Sequence, residues 1–256
     1  MEQILNSRII GEHPEHLLII HGLFGQLDNW NTLGKEYAKY YTTHLIDLRN
    51  HGRSFHSTDM SYDAMIQDLL TYMAHYNIEK VHLLGHSLGG RLAIDMAMNY
   101  ATKINKLIVA DMSPKAYPPH HNMIFKALNS VDFSKAKTRQ DVDEMLKTYI
   151  PEMSIRQFLL KNVYHNGNGY AFRFNLPALY REYNNLVGKD LSDGEFNGPT
   201  LFLGGEKSDY ILPEDDFIIR KRFPHAEIDY VSNAGHWLHA ENPKEFMQKT
   251  LTFLLK

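Results

Sequence analysis

The chain has 256 residues, 43% hydrophobic and 22% charged, a balance that fits a folded globular protein and excludes disordered and fibrous classes. Its 27 basic and 30 acidic residues leave a net charge of −3 with no basic tract, which speaks against nucleic acid or an anionic membrane as main partner. Cysteine is absent, so disulfide frameworks, thiolate zinc sites and cysteine nucleophiles are excluded.

The N-terminal stretch MEQILNSRIIGEHPEH has no basic segment followed by an apolar one, unlike a secretory signal. No run approaches the ~18 apolar residues that cross a bilayer. These features predict a soluble, cytoplasmic protein without stable membrane insertion.

Short apolar runs then alternate with segments of helical period. LLII at 17–20 leads into His21-Gly22, THLIDL occupies 43–48, and VHLLG occupies 81–85. KLIVAD at 106–111, PTLFLG at 199–204 and AEIDYV at 226–231 complete the set of predicted strands. Runs apolar on both faces suit parallel strands covered by helices on both sides. Between Ser61 and Tyr76, the residues Tyr62, Met65, Ile66, Leu69 and Met73 mark one helical face, with Ser61 as N-cap. Helices are also predicted over 88–100, 213–223 and 243–255, the last two opening on a proline. The alternation predicts an α/β fold with an open, mostly parallel sheet.

The stretch 113–189 breaks this pattern and shows no convincing buried strand. Helices are predicted at 120–129, 138–150, 154–165 and 177–187, with Ser154-Ile155-Arg156-Gln157 as a capping box. Asn166-Gly167-Asn168-Gly169 reads as a turn between short extended pieces. The expected organisation is a core of 1–112 and 190–256 with a helical cap of 113–189 inserted above the strand ends, where ligands bind in such sheets.

Gly85-His86-Ser87-Leu88-Gly89 is a G-x-S-x-G motif between a predicted strand and a predicted helix, the setting of a nucleophile elbow. Ser87 would stand exposed above the sheet beside a helix N-terminus that favours developing negative charge. A serine nucleophile needs a base. His236, in Asn233-Ala234-Gly235-His236-Trp237 after the final strand, is the candidate. His82, His86 and His239 read as structural, and His120-His121 as a solvated helix face. No metal-ligand spacing occurs. Two acids compete to orient the imidazole: Asp111, ending the strand 106–111, and Asp209, following the strand 199–204. Spacing does not decide between them. The N–H of Leu88 and that of Leu23 or Phe24, in His21-Gly22-Leu23-Phe24-Gly25, are the expected oxyanion donors. Arg91 and Trp237 are candidate substrate-binding residues.

These residues resemble the α/β-hydrolase fold and, within it, the YbfF-like esterases. The resemblance rests on HGLFGQLDNW (21–30), DLRNHGRS (47–54), GHSLGG (85–90), ADMSP (110–114), FRFNL (172–176), LGGEKS (203–208) and NAGHWLHAENP (233–243). It implies that Asp111 is the acid, with Ser208 as an auxiliary partner near the histidine. It also implies cofactor-free hydrolysis of small-molecule carboxylic esters, and of acyl thioesters such as acyl-CoA. Two rivals remain. One is a cofactor-free lyase resembling the menaquinone-pathway synthase that eliminates pyruvate, in which Arg91 would clamp a carboxylate. The other is a non-catalytic binding protein of the same fold. In the insertion, Met123, Phe125, Tyr149, Phe158, Tyr164, Tyr170, Phe172, Phe174 and Tyr180 divide between packing and an apolar acyl channel.

Overall fold

The computed structural model describes residues 3–188, 191 and 193–256. The predicted cap–core junction at 189/190 lies outside the described residues. The first half runs β1 (Ser7–Ile10), β2 (His16–Ile20), α1 (Asn31–Tyr37), β3 (Thr42–Ile46), α2 (Tyr62–His75), β4 (Val81–His86), α3 (Leu88–Asn99) and β5 (Ile104–Ala110). Next come α4 (Asn122–Asn129), α5 (Arg139–Lys147), α6 (Met153–Leu160), β6 (Val163–His165), β7 (Tyr170–Phe172) and α7 (Leu176–Gly188). The chain returns through β8 (Thr200–Gly205), α8 (Asp216–Arg222), β9 (Ala226–Val231), α9 (Leu238–Glu241) and α10 (Pro243–Leu254).

The fold is α/β, as the strand–helix alternation predicts. Its main sheet has seven strands in the order β1-β3-β2-β4-β5-β8-β9. β1 pairs antiparallel with β3, and every other pairing in this sheet is parallel. The sequence shows why both faces are covered. On β2, Leu18 and Ile20 enter one apolar cluster while Leu17 and Ile19 enter the other. On β5, Leu107 and Val109 face the first cluster, and Ile108 and Ala110 the second. Period-two alternation therefore feeds two cores from each central strand. The first cluster takes residues from α2, α3 and α8 and also from the segment between β5 and β8; the second takes Leu33 and Tyr37 of α1 and Phe246, Phe253 and Leu254 of α10. Each fully buried large side chain contributes about 1.5–3 kcal/mol.

Several predicted boundaries shift. Ser61 caps α2 by accepting from the Ala64 N–H. β3 ends at Ile46, and Asp47 leaves the sheet to bind the Leu27 and Arg53 N–H groups at 2.7 and 2.9 Å. The expected capping box at Ser154 does not form: α6 starts at Met153, its N-cap is Glu152, and no side chain caps it. The box belongs instead to α5, where Thr138 and Asp141 satisfy each other's N–H groups. α6 also ends before 165, because Val163–His165 pairs with Tyr170–Phe172 in a hairpin across the Asn166–Gly169 turn. Among the described residues, no helix is long and apolar enough to cross a membrane.

Candidate active site

The G-x-S-x-G turn is a steric requirement. A Cβ on Gly85 would lie 2.1 Å from the Gly89 carbonyl oxygen, and one on Gly89 would lie 2.5 Å from that of Ile20. Between them Ser87 is held at φ 53°, ψ −118°, a conformation that costs a non-glycine residue of order 1–3 kcal/mol. The Ser87 N–H donates to the Ala110 carbonyl at 3.1 Å, tying the turn to the end of β5.

The residue just after β5 is Asp111, fully buried and also at positive φ (51°). Its Oδ1 accepts from the Gly205 N–H at 2.9 Å. Its Oδ2 accepts from the Ser208 hydroxyl at 2.5 Å and lies 2.7 Å from His236 Nδ1. His236 Nε2 lies 3.0 Å from Ser87 Oγ. A carboxylate accepting at Nδ1 selects the tautomer whose Nε2 is the acceptor. The structure thus brings Ser87, His236, Asp111 and Ser208 together. Asp209 is exposed, and the carboxylate bonded to His236 is that of Asp111.

His86, His121 and His239 lie around the site, and burial lowers the pKa of each. His86 Nε2 donates to the His236 carbonyl at 2.8 Å. Burial, and then its neighbours His239 and His236, hold its pKa well below the ordinary value. His239 stacks on Trp30 with centroids 4.3 Å apart, and burial lowers its pKa to about 3. His82 is buried, 3.6 Å from the Glu15 carboxylate. The expectation of a solvated face for His120-His121 fails at His121. Its Nδ1 bonds to the Tyr183 hydroxyl at 2.8 Å, it lines the cleft, and burial lowers its pKa to about 3. His120 is exposed and bonds to the Tyr210 hydroxyl. Tyr210 stacks on His236 at 4.0 Å, a contact with no sequence signal.

The loop after β2 is clamped at Phe24, whose φ is 59°. The Phe24 N–H donates to His51 Nε2 at 3.2 Å, and the Phe24 carbonyl accepts from Asn162 Nδ2 at 2.7 Å. That engaged N–H removes Phe24 as an oxyanion donor. The N–H groups of Leu23 and Leu88 have no protein acceptor among the described residues. Leu88 opens α3, where the first N–H groups lack helical partners. His51 keeps its acceptor nitrogen free because Nδ1 donates to the Arg49 carbonyl at 3.0 Å, and burial lowers its pKa to about 3.

Ser87 and His236 open onto a cavity of about 470 Å³ whose apolar wall includes Leu23, Ile124, Ile155, Phe158 and Trp237. Of the aromatic residues predicted for the channel, Phe158 alone lines this cavity. Phe125 and Phe174 instead pack on Phe24 at 5.2 Å each. Arg91 does not serve as a free cationic clamp. It is 1% exposed, donates to the Tyr62 hydroxyl at 3.1 Å and to the Lys115 carbonyl at 2.6 Å, and lies over the Tyr62 and Tyr117 rings. It borders a crevice of about 20 Å³ that Ser87 also lines.

Residues 15–142 match the family model described as the alpha/beta hydrolase fold. The chain is 33% identical to Esterase YbfF of Escherichia coli K12, covering 98% of both proteins. The chain belongs to the α/β-hydrolase family, among the YbfF-like esterases. It is also 35% identical to the sn-1-specific diacylglycerol lipase ABHD11 of Danio rerio, over 93% of this chain and 78% of that one. Among solved structures, a marine microorganism esterase matches with a TM-score of 0.94 and 40% identity, covering 98% of this chain and 100% of that one. This family member is an enzyme, a carboxylic ester hydrolase, which displaces the reading as a non-catalytic binding module.

Proposed function

We propose that this carboxylic ester hydrolase works through an acyl-enzyme on Ser87, with His236 as general base and Asp111 as the group that orients it. The observation that carries the proposal is the continuous line from Ser87 Oγ to His236 Nε2 at 3.0 Å and from His236 Nδ1 to Asp111 Oδ2 at 2.7 Å, set in the wall of an apolar cleft. Ser87 attacks the acyl carbon while His236 takes its proton. The N–H groups of Leu88 and Leu23 receive the oxyanion, each such donor being worth about 3–4 kcal/mol in the transition state. The leaving group departs with the proton from His236. Water, deprotonated by the same imidazole, then releases the acid and restores Ser87. No cofactor takes part in these steps.

The insertion between β5 and β8 acts as a cap whose Ile124, Ile155 and Phe158 bound the acyl chain. Small-molecule acyl esters are the substrate class, and acyl thioesters such as acyl-CoA follow the same chemistry. The lyase alternative requires Arg91 to hold a substrate carboxylate, but its guanidinium already donates to Tyr62 and Lys115.

The test is a chain-length series of p-nitrophenyl esters and acyl thioesters on the wild type and on Ser87→Ala, with mass spectrometry of the wild type after a phosphonate inhibitor. A single adduct on Ser87 and a drop of at least about 10³-fold in kcat for the variant are expected. An unlabelled Ser87, or an active variant, contradicts the proposal.

A further inference from the structure

Beside the apolar cleft lies a second groove of about 270 Å³, lined by Arg53, Arg139, Lys161, Arg173 and His165, with Asp28 as the one acid in its wall. Four lining cations are a local excess in a chain of net charge −3. Asp28 offsets them only in part: its carboxylate bonds to Arg8 at 2.9 Å and to Asn31 at 3.0 Å and also lies in the field of Arg53, so one shared acid faces four cations. Among the described residues, no carboxylate lies within ion-pair distance of Arg53, Arg139, Lys161 or Arg173. Arg139 is anchored by donating to the Leu160 carbonyl at 2.7 Å. Arg173 is half-buried, with its guanidinium 4.4 Å from the Tyr164 ring centre. The groove therefore presents fixed as well as flexible cations.

Lys161 lines both this groove and the cleft that holds Ser87 and His236, so the two spaces meet at one residue. The cleft wall is apolar and suits an acyl chain. The groove suits the opposite end of the same molecule. Arginine forks match the paired oxygens of a phosphate, and a lysine adds a mobile point charge.

We propose that the groove binds a phosphate carried on the alcohol side of the ester, so that the preferred substrates are acyl esters of phosphorylated alcohols. This rests on the serine-hydrolase reading above. The bond broken is the acyl C–O bond: water supplies OH to the acyl group and H to the departing phosphorylated alcohol, and the phosphate ester itself stays intact.

The decisive experiment compares 1-lauroylglycerol with 1-lauroylglycerol 3-phosphate, both below their aggregation thresholds, on the wild-type enzyme, on Arg173→Gln and on Arg53→Gln/Arg173→Gln. Melting curves of each variant establish that it is folded. A kcat/KM at least about tenfold higher for the phosphorylated ester is expected, carried mainly in KM, with the ratio falling toward one in the double variant and under 0.5 M salt, where screening is strong. Inorganic phosphate should compete with the phosphorylated ester. Equal turnover of the two esters overturns the proposal. Binding of inorganic phosphate by calorimetry without any preference between the esters also overturns it, because the groove would then hold a free anion rather than substrate. Turnover of the neutral ester alone, or of neither lauroyl ester while p-nitrophenyl esters are still hydrolysed through Ser87, also overturns the proposal and leaves the serine-hydrolase reading intact.

Discussion

At Asp111 three donors converge on one fully buried carboxylate, and each ties down a different segment: Gly205 at the end of β8, Ser208 just beyond it, and His236 after β9. A buried carboxylate is tolerable because its oxygens are so fully engaged. Replacing Asp111 by Asn should lower kcat by about 10⁴-fold, since an amide favours the wrong imidazole tautomer. Asp209→Asn should change kcat less than twofold. Comparable losses in the two variants would refute the assignment of Asp111. The pairing of Ser87 with His236 was legible in the sequence because the elbow motif and the late histidine loop carry local signatures. The choice between Asp111 and Asp209 was not legible from spacing, since it depends on which strand end faces the histidine loop, a property of sheet order. Tyr210 and His121 carry no local signature at all. They reach the site through the packing of distant loops.

Among the elements, the hairpin and helices between β5 and β8 do more than cover the cleft. Asn162, on the turn between α6 and β6, holds the Phe24 carbonyl at 2.7 Å, and Gln26 reaches the Lys161 carbonyl at 3.1 Å. On the other side, Asn175 bonds to both backbone and side chain of Asn50 in the RNHGRS block. The motifs at 21–30, 47–54 and 172–176 are thus joined by hydrogen bonds, which explains structurally why they occur together in one chain. Asn162→Ala should lower kcat by about tenfold with KM nearly unchanged, a partial loss of oxyanion stabilisation, whose full value is about 3–4 kcal/mol. A rise in KM alone would show that the clamp serves substrate binding instead. Long amphipathic helices were legible from their period. β1 leaves little trace in the sequence, because its four residues, three half-buried and Ile9 exposed, carry little apolar signal. The capping box was misplaced because Ser-x-x-Gln at 154–157 and Thr-x-x-Asp at 138–141 are equivalent as local patterns. Tertiary contacts decide which one starts a helix.

Across the whole molecule, buried neutral histidines make stability depend on pH. Burial lowers His21 to about 4, and His51 and His239 to about 3, while each titrates near 6.5 when unfolded. Between those values the unfolded chain binds more protons than the folded one. Stability is therefore full above pH 6.5 and is lost as pH falls toward 4, by up to about 1.4 kcal/mol per histidine for each pH unit. The urea midpoint should be flat from pH 8 to 7 and fall steeply between pH 6 and 4.5. A midpoint that holds steady down to pH 4.5 would show that these side chains are hydrated rather than buried.

The direct ladder between β4 and β5 has a mechanical meaning. His86 is paired with Ala110, and Ser87 and Asp111 each follow the last rung on their own strand. The spacing of Ser87 and Asp111 is therefore set by backbone rungs, like two marks cut into one ruler. His236 rides on a separate arm that reaches across from beyond β9. Thermal loosening should strike the arm first and leave the ruler intact. In hydrogen–deuterium exchange, the amides of Ser87 and Asp111 should open only with global unfolding, while those of residues 232–237 exchange earlier. Early exchange at Ser87 would show that the two strands slide. A chain built this way can lengthen, shorten or reshape its histidine loop through mutation without moving Ser87 and Asp111 relative to each other.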